Sequence, residues 1–348
     1  MTARRGSHVS PAAMLRTGSL LPVLALLAAC AQQPAAPAAP APVPRPAAKP
    51  AAVEQAVLRK ARAERNRALN AAADRAQADA GPVSRLQRDF YAQAERRLLE
   101  QGRLRRDHAP QDAPIDADTL ARNFMAIALR DEYSRQGDRL VAGDVAAPLR
   151  RWQAPVALQL EFGASVDAAT RSAYRSEIAA YAARLTEASG HPVTLTTSGG
   201  NFIVLILGDD ERRGIGPRLA ELVPGIPPQD ARMIRDLDKN NYCTVFAYSR
   251  GTAADYANAV ALLRTELPPL LRRSCIHEEL AQGMGLANDS PAARPSIFND
   301  DEEFALLTRH DELLLRILYD ARLRPGMTEA EAAPIVRTIA AELLGESA

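Results

Sequence analysis

The sequence has almost no surplus of charge: 43 Lys and Arg stand against 42 Asp and Glu over 348 residues. Nucleic-acid binding draws on a basic surface, so this balance removes the electrostatic case for nucleic acid as a main partner and leaves protein, peptide or cell envelope. Cysteine is scarce, with 3 in the chain. No pair has C-x-x-C spacing and no His stands near Cys243, which argues against a thiolate zinc site. Long apolar runs are missing too, since the run from Leu20 to Leu27 is too short to span a bilayer. What is present is a chain of 47 % hydrophobic residues, enough to bury one good core and leave about a hundred residues over.

Arg4, Arg5 and Arg16 precede the short apolar run, and Leu27-Ala28-Ala29-Cys30 closes it. A basic flank, a short apolar core and small residues before a cysteine read as a lipoprotein signal over 1–29, removed on export, with Cys30 as the lipidated first residue. Acyl chains at about 0.8 kcal/mol per buried CH₂ would anchor the protein to a membrane by its N-terminus. Ala31, where an Asp would otherwise stand, resembles Gram-negative lipoproteins sorted to the outer membrane, and so implies the periplasmic side of the cell envelope. With Cys30 set aside, Cys243 and Cys275 remain in an oxidising compartment. A disulfide between them is the favoured reading, and two separate buried thiols the other.

Residues 30–50 carry the lipidated Cys and an Ala/Pro-rich stretch that reads as an extended tether. Residues 51–110 hold thirteen Lys and Arg against eight Asp and Glu, with helix formers throughout. They read as a helical spacer, solvated or weakly packed, with binding of an anionic envelope component as the alternative. Within it, Leu86, Phe90, Ala94 and Leu98 recur every fourth residue and predict an apolar stripe. The folded domain is expected over 115–345. Asp116 is placed to cap a helix over 119–133. Alternation predicts a strand at 156–162, and strands are also expected at 193–197, 202–207 and 242–248, with a hairpin-like turn at Ser198-Gly199-Gly200-Asn201. A long helix is predicted over 166–189, and an Ala-rich segment at 253–263 reads as another.

The densest chemistry runs from Cys275 onward as C-I-H-E-E-L-A-Q-G-M-G-L-A-N-D, followed by S-I-F-N-D. This layout resembles the zinc-peptidase pattern H-E-x-x-H-x-x-G-x-x-H of the metzincins, in which two imidazoles one helical turn apart hold zinc beside a glutamate base. Anchored on Gly285, the resemblance places Glu279 on the general base. Glu278, Gln282 and Asn288 (or Asp289) fall where the three His ligands belong. Ser296-Ile297-Phe298-Asn299-Asp300 resembles the Met-turn, with Phe298 in the Met position. The frame starting at His277 fails, because Ala281 cannot ligate a metal. Over about 115–344 the chain also resembles domain-of-unknown-function family 2927. The residues that carry this are R-N-F-x-x-I-A-L-R-D-E-Y (Arg122 to Tyr133), R-R-W-x-x-P (Arg150 to Pro155), the motif above and L-R-P-G-M (Leu323 to Met327).

Together these imply an α+β, zincin-like fold: a mixed sheet, an active-site-type helix and a small C-terminal helical subdomain. Carboxylate and amide oxygens suit hard cations rather than zinc, so no cofactor is expected, and only a weak oxygen-ligated metal stays open. The expectation is a peptide- or protein-binding module. The alternative is an atypical metallopeptidase-like hydrolase using Glu279 with oxygen ligands. His310-Asp311 reads as a helix cap, and Trp152 as a core anchor beside the surface arginines Arg150 and Arg151. Gly199-Gly200 lacks the following helix that a phosphate loop needs.

Overall fold

The computed structural model of the chain describes residues 81–345 except 137, 138 and 300, together with Lys60, Ala63, Glu64 and Arg67. The signal over 1–29, Cys30, the tether and Asp300 lie outside the described residues. In chain order the elements are α1 (Pro82–Glu100), α2 (Ala117–Ala128), β1 (Arg130–Gln136), β2 (Arg139–Ala146), β3 (Arg151–Trp152), β4 (Val156–Phe162) and α3 (Ala168–Ser189). Then come β5 (Val193–Thr196), β6 (Phe202–Leu207), α4 (Asp209–Arg212), α5 (Gly216–Leu222), α6 (Pro228–Asp236), β7 (Cys243–Ser249) and β8 (Asp255–Arg264). The last three helices are α7 (Pro269–Gln282), α8 (Arg309–Leu318) and α9 (Glu329–Leu344). The fold is mixed α+β with a mostly parallel sheet. Among the described residues no helix is long and apolar enough to cross a membrane.

The main sheet runs β5-β4-β6-β8, all parallel, with β3 alongside the start of β8 and β7 antiparallel to β8. Buried on both faces, β6 needs a continuous apolar run, and F-I-V-L-I-L supplies it. One face of the sheet, including Val204, Ala259, Ala261 and Leu263, belongs to the large core with α2, α3, α7, α8 and α9. The other, through Ile203, Leu205, Val260 and Leu262, packs on Leu219 and Val223 and on Ile234 and Leu237.

The segment expected as a helix over 253–263 is β8. Its alternate residues are apolar toward both faces, so the run shows no period of two, and its Ala content favours helix until the two sheet faces are present to bury it. The hairpin expected between β5 and β6 is also absent. Both strands lie parallel to β4, on opposite sides of it, and residues 197–201 carry the chain across. A Cβ on Gly200 would sit 2.6 Å from Gln159 Cβ and 2.7 Å from the Ala157 carbonyl oxygen. The glycine is there because one backbone passes directly over another. Asn201 completes the crossing, accepting from Ala157 N at 2.7 Å and donating to Pro155 O at 3.0 Å.

The helix capped by Asp116 stops at Ala128 rather than 133, and β1 takes the remaining residues into a hairpin with β2. The stripe of α1 is also shifted. Leu86 is 71 % exposed, whereas Tyr91 is fully buried beneath the Arg264 guanidinium, 5.8 Å from its ring centroid. Residues 82–100 therefore contribute to the large core. Cys243, on β7, and Cys275, on α7, form a disulfide across 32 residues.

Candidate functional site: the cleft beside the motif helix

Helix α7 begins at Pro268-Pro269, where a proline at the first helical position suits the fixed backbone angle. Pro268 has no side-chain acceptor to cap the helix. Glu95 of α1 does so instead, its carboxylate accepting from Leu270 N and Leu271 N at 3.0 Å each. At the other end the chain turns at Gly285, φ 122°, where a Cβ would lie 2.4 Å from the Arg150 carbonyl oxygen. The anchoring glycine of the motif is thus required by both its conformation and its closeness to the segment before β3.

Between α7 and the edge strand β7 lies a cleft of about 720 Å³, bordered by all of β7, by Glu278, Glu279 and Gln282, and by Asp289. Glu279 is 4 % exposed and Gln282 9 %. Gln282 Nε2 donates to Asp289 Oδ1 at 3.2 Å. Asn288 does not border the cleft. Its Nδ2 donates to Ala126 O at 2.8 Å and its backbone N to Ile127 O at 3.0 Å, tying the turn to the end of α2. Four of the five motif positions therefore meet at one cavity, and the fifth serves the scaffold. The donors gathered there are carboxylate and amide oxygens, which hard cations accept and zinc does not prefer.

The Met-turn-like residues Ser296, Ile297, Phe298 and Asn299 lie in the interior and do not border the cleft. Asp311 organises them: its carboxylate accepts from Ser296 Oγ at 2.5 Å and from Ile297 N at 3.2 Å. The same carboxylate accepts from Thr308 N at 2.8 Å, closing the capping box of α8. His310, fully buried, is 2.9 Å from Asn123 Nδ2. The pair expected as a cap is a cap, and it also fixes the turn beneath the motif.

His277 faces away from the cleft. Its ring stacks on Tyr181 with centroids 4.0 Å apart, and Nδ1 accepts from Leu307 N at 3.0 Å. Burial, with Arg184 and Arg273 nearby, depresses its pKa to about 3. An accepting Nδ1 carries no proton, so the ring is held in its neutral form and this histidine is a structural group.

Sequence spacing gave no hint of several cleft residues, because they come from separate parts of the chain: Arg150, Asn240, Tyr242, Tyr256 and Glu302. Arg150, expected at the surface, is half-buried and pairs with Asp131 at 2.6 Å. Arg151 is half-buried as well. It donates to Leu318 O, Asp320 O and Leu323 O, satisfying carbonyls left over at the end of α8.

Residues 117–338 match a family described as a protein of unknown function, DUF2927. The chain belongs to this family. No curated protein matches it. Within the DUF2927 domain, Trp152 Nε1 donates to Gly283 O at 2.8 Å, so R-R-W-x-x-P grips the end of the motif helix. The L-R-P-G-M stretch clasps the same segment, Gly326 N donating to Leu149 O and Leu149 N to Met327 O, both at 2.8 Å. A second cavity of the domain, about 800 Å³, is bordered by both of these stretches, through Arg151, Trp152, Arg324 and Met327, and by His191 and Tyr319, and by none of Glu278, Glu279, Gln282 and Asp289.

Proposed function

We propose that this DUF2927 protein is a lipoprotein of the bacterial envelope, anchored through Cys30 on the periplasmic side, whose zincin-like domain holds a peptide or protein segment without cleaving it. The observation that carries the reading is the wall structure of the cleft. One wall is an edge strand that pairs only with β8 among the described residues, and the other is the motif helix. An open strand edge offers backbone N–H and C=O groups to an incoming extended chain. At roughly 3.3 Å per residue, the seven residues of β7 present an edge of about 23 Å. Two of the positions where metal-ligating His would stand carry amides, Gln282 bonded to Asp289 and Asn288 to Ala126. Without a metal to lower the pKa of water, Glu279 has no activated nucleophile to serve. The order β4, α3, β5, β6, then β7 and β8 after three short helices, and then the motif helix α7, with β7 antiparallel at the cleft edge, also supports the zincin-like reading.

Three measurements on the full chain test this. The Cys30→Ala variant is expected to leave the membrane fraction after high-salt washing. A photo-crosslinker at Ala247, on the cleft side of β7, is expected to trap an envelope protein in living cells, while one at Arg337 on α9 traps none. The purified protein is expected to contain no stoichiometric zinc and to cleave no casein-like substrate. One equivalent of tightly held metal, with a proteolysis that Glu279→Gln abolishes in a folded protein, would establish the hydrolase reading instead.

A further inference from the structure

Residues 103–105 meet residues 302–305 at the mouth of the cleft in a short parallel pairing outside both sheets. Leu104 N donates to Glu302 O at 2.8 Å, Arg105 N to Glu303 O at 2.7 Å, and Ala305 N returns to Arg105 O at 2.8 Å. Leu104 (φ 57°) and Glu302 (φ 60°) are the two described non-glycine residues in the left-handed region, and they are bonded to each other. A side chain with a Cβ is strained there, and such strain persists only where the surroundings over-determine it.

The surroundings do so in three ways. Leu104 is 2 % exposed, inserted in the large core. The Arg105 guanidinium reaches Asp107 at 2.9 Å, Asp112 at 2.8 Å and Glu303 at 3.0 Å, and lies over the Phe304 ring. Arg294 completes the cluster, 2.7 Å from both Asp112 and Glu303.

Helix α1 leads directly into this pairing and touches the other walls of the cleft on the way. Lys239 Nζ lies 5.1 Å from the Phe90 ring centroid, and Tyr91 meets Tyr242 edge-on at 5.8 Å, both in the loop that enters β7. Glu95 caps the motif helix. Tyr242 and Glu302 both border the cleft. All of these contacts come from residues N-terminal to the family match, which starts at 117.

We propose that residues 82–112 form a strap across the DUF2927 domain, latched at Leu104–Glu302 against backbone strain, and that its release loosens the β7 wall of the cleft. An occupant of the cleft that displaces Glu302 acts on this latch, and through it on the strap. The inference goes beyond the proposed function, because it concerns how the cleft is held, whatever the cleft binds.

Residue-resolved hydrogen exchange on the full chain tests it. Glu302→Gly keeps the backbone bond and removes the strained Cβ, so exchange at Leu104 and Arg105 should slow roughly two- to fivefold. Arg105→Ala removes the clamp, so exchange at Leu104 and Ala305 should quicken roughly tenfold or more, and Tyr242 to Val245 should quicken with them while β6 stays unchanged. The proposal is overturned if the latch amides exchange only at the rate of β6 in both variants, which would mean no local opening. It is equally overturned if they quicken while Tyr242 to Val245 do not, since release would then not reach the cleft. Should Arg105→Ala fail to fold, Glu302→Gly decides: unchanged or faster exchange at Leu104 and Arg105 refutes the strained latch.

Discussion

His277 offers a sharp test of the burial argument. In the folded chain its pKa is depressed from 6.5 to about 3, chiefly by burial and then by Arg184 and Arg273. The unfolded chain takes up a proton near pH 6.5, and the folded chain resists it until about pH 3. Folding stability is therefore fully present above pH 6.5 and falls as the pH drops through that window. Each unit of difference corresponds to 1.36 kcal/mol, so at pH 4.5 this one ring should remove about 2–3 kcal/mol relative to pH 7.5. His277→Phe keeps a ring against Tyr181 and removes the titration. It also leaves Leu307 N without its acceptor, a pH-independent loss of about 1–3 kcal/mol. Urea unfolding between pH 4.5 and 7.5 should show a steeper dependence for the parent than for the variant, the two lines converging at low pH. Parallel lines, or a His277 Cε1–H signal in the folded protein that titrates near 6.5, would refute the reasoning.

Three further outcomes follow from the packing. Reducing or replacing the Cys243–Cys275 bridge, which closes a loop across 32 residues, should lower stability by about 3–4 kcal/mol in the loop-entropy picture, read as a fall in the urea midpoint. Gly200→Ala places a Cβ against the β4 backbone and should destabilise by about 1–3 kcal/mol in the same assay; a neutral result would mean that the crossing has room. Glu95→Ala removes the cap that α1 supplies to α7 and should cost about 1 kcal/mol, with faster hydrogen exchange at Leu270 and Leu271.

The parts legible in the sequence were those whose signals are local. Asp116 accepts from the amide three residues on and Asp311 from the amide three residues back, both within reach of a short carboxylate side chain at a helix start. The run F-I-V-L-I-L is a strand because it is apolar throughout and too short for a helix. What stayed hidden depends on partners distant in the chain. β8 reads as helix until both sheet faces are present, and Leu86 looks like a core residue until Tyr91 takes that role. The same holds for the site. The motif spacing brought Glu278, Glu279, Gln282 and Asp289 to one cavity, but nothing within reach of them in sequence points to Tyr242, Arg150 or Glu302. Asn288 was grouped with them by spacing, and tertiary contact with Ala126 assigned it to the scaffold.

The bridge between β7 and α7 also bears on alignment. Successive side chains of a strand point to opposite sides, so sliding β7 by one residue along β8 would exchange every side chain on its cleft side for its neighbour. An edge strand, paired on one side only, has fewer ladder bonds opposing such a slip. Cys243 pairs with Leu263 in the ladder and is covalently joined to Cys275 on the helix opposite. A displaced strand would have to break that bond. Oxidation thus selects one of two alternating faces, and a reduced chain would be free to present Thr244, Phe246 and Tyr248 where Cys243, Val245 and Ala247 had been.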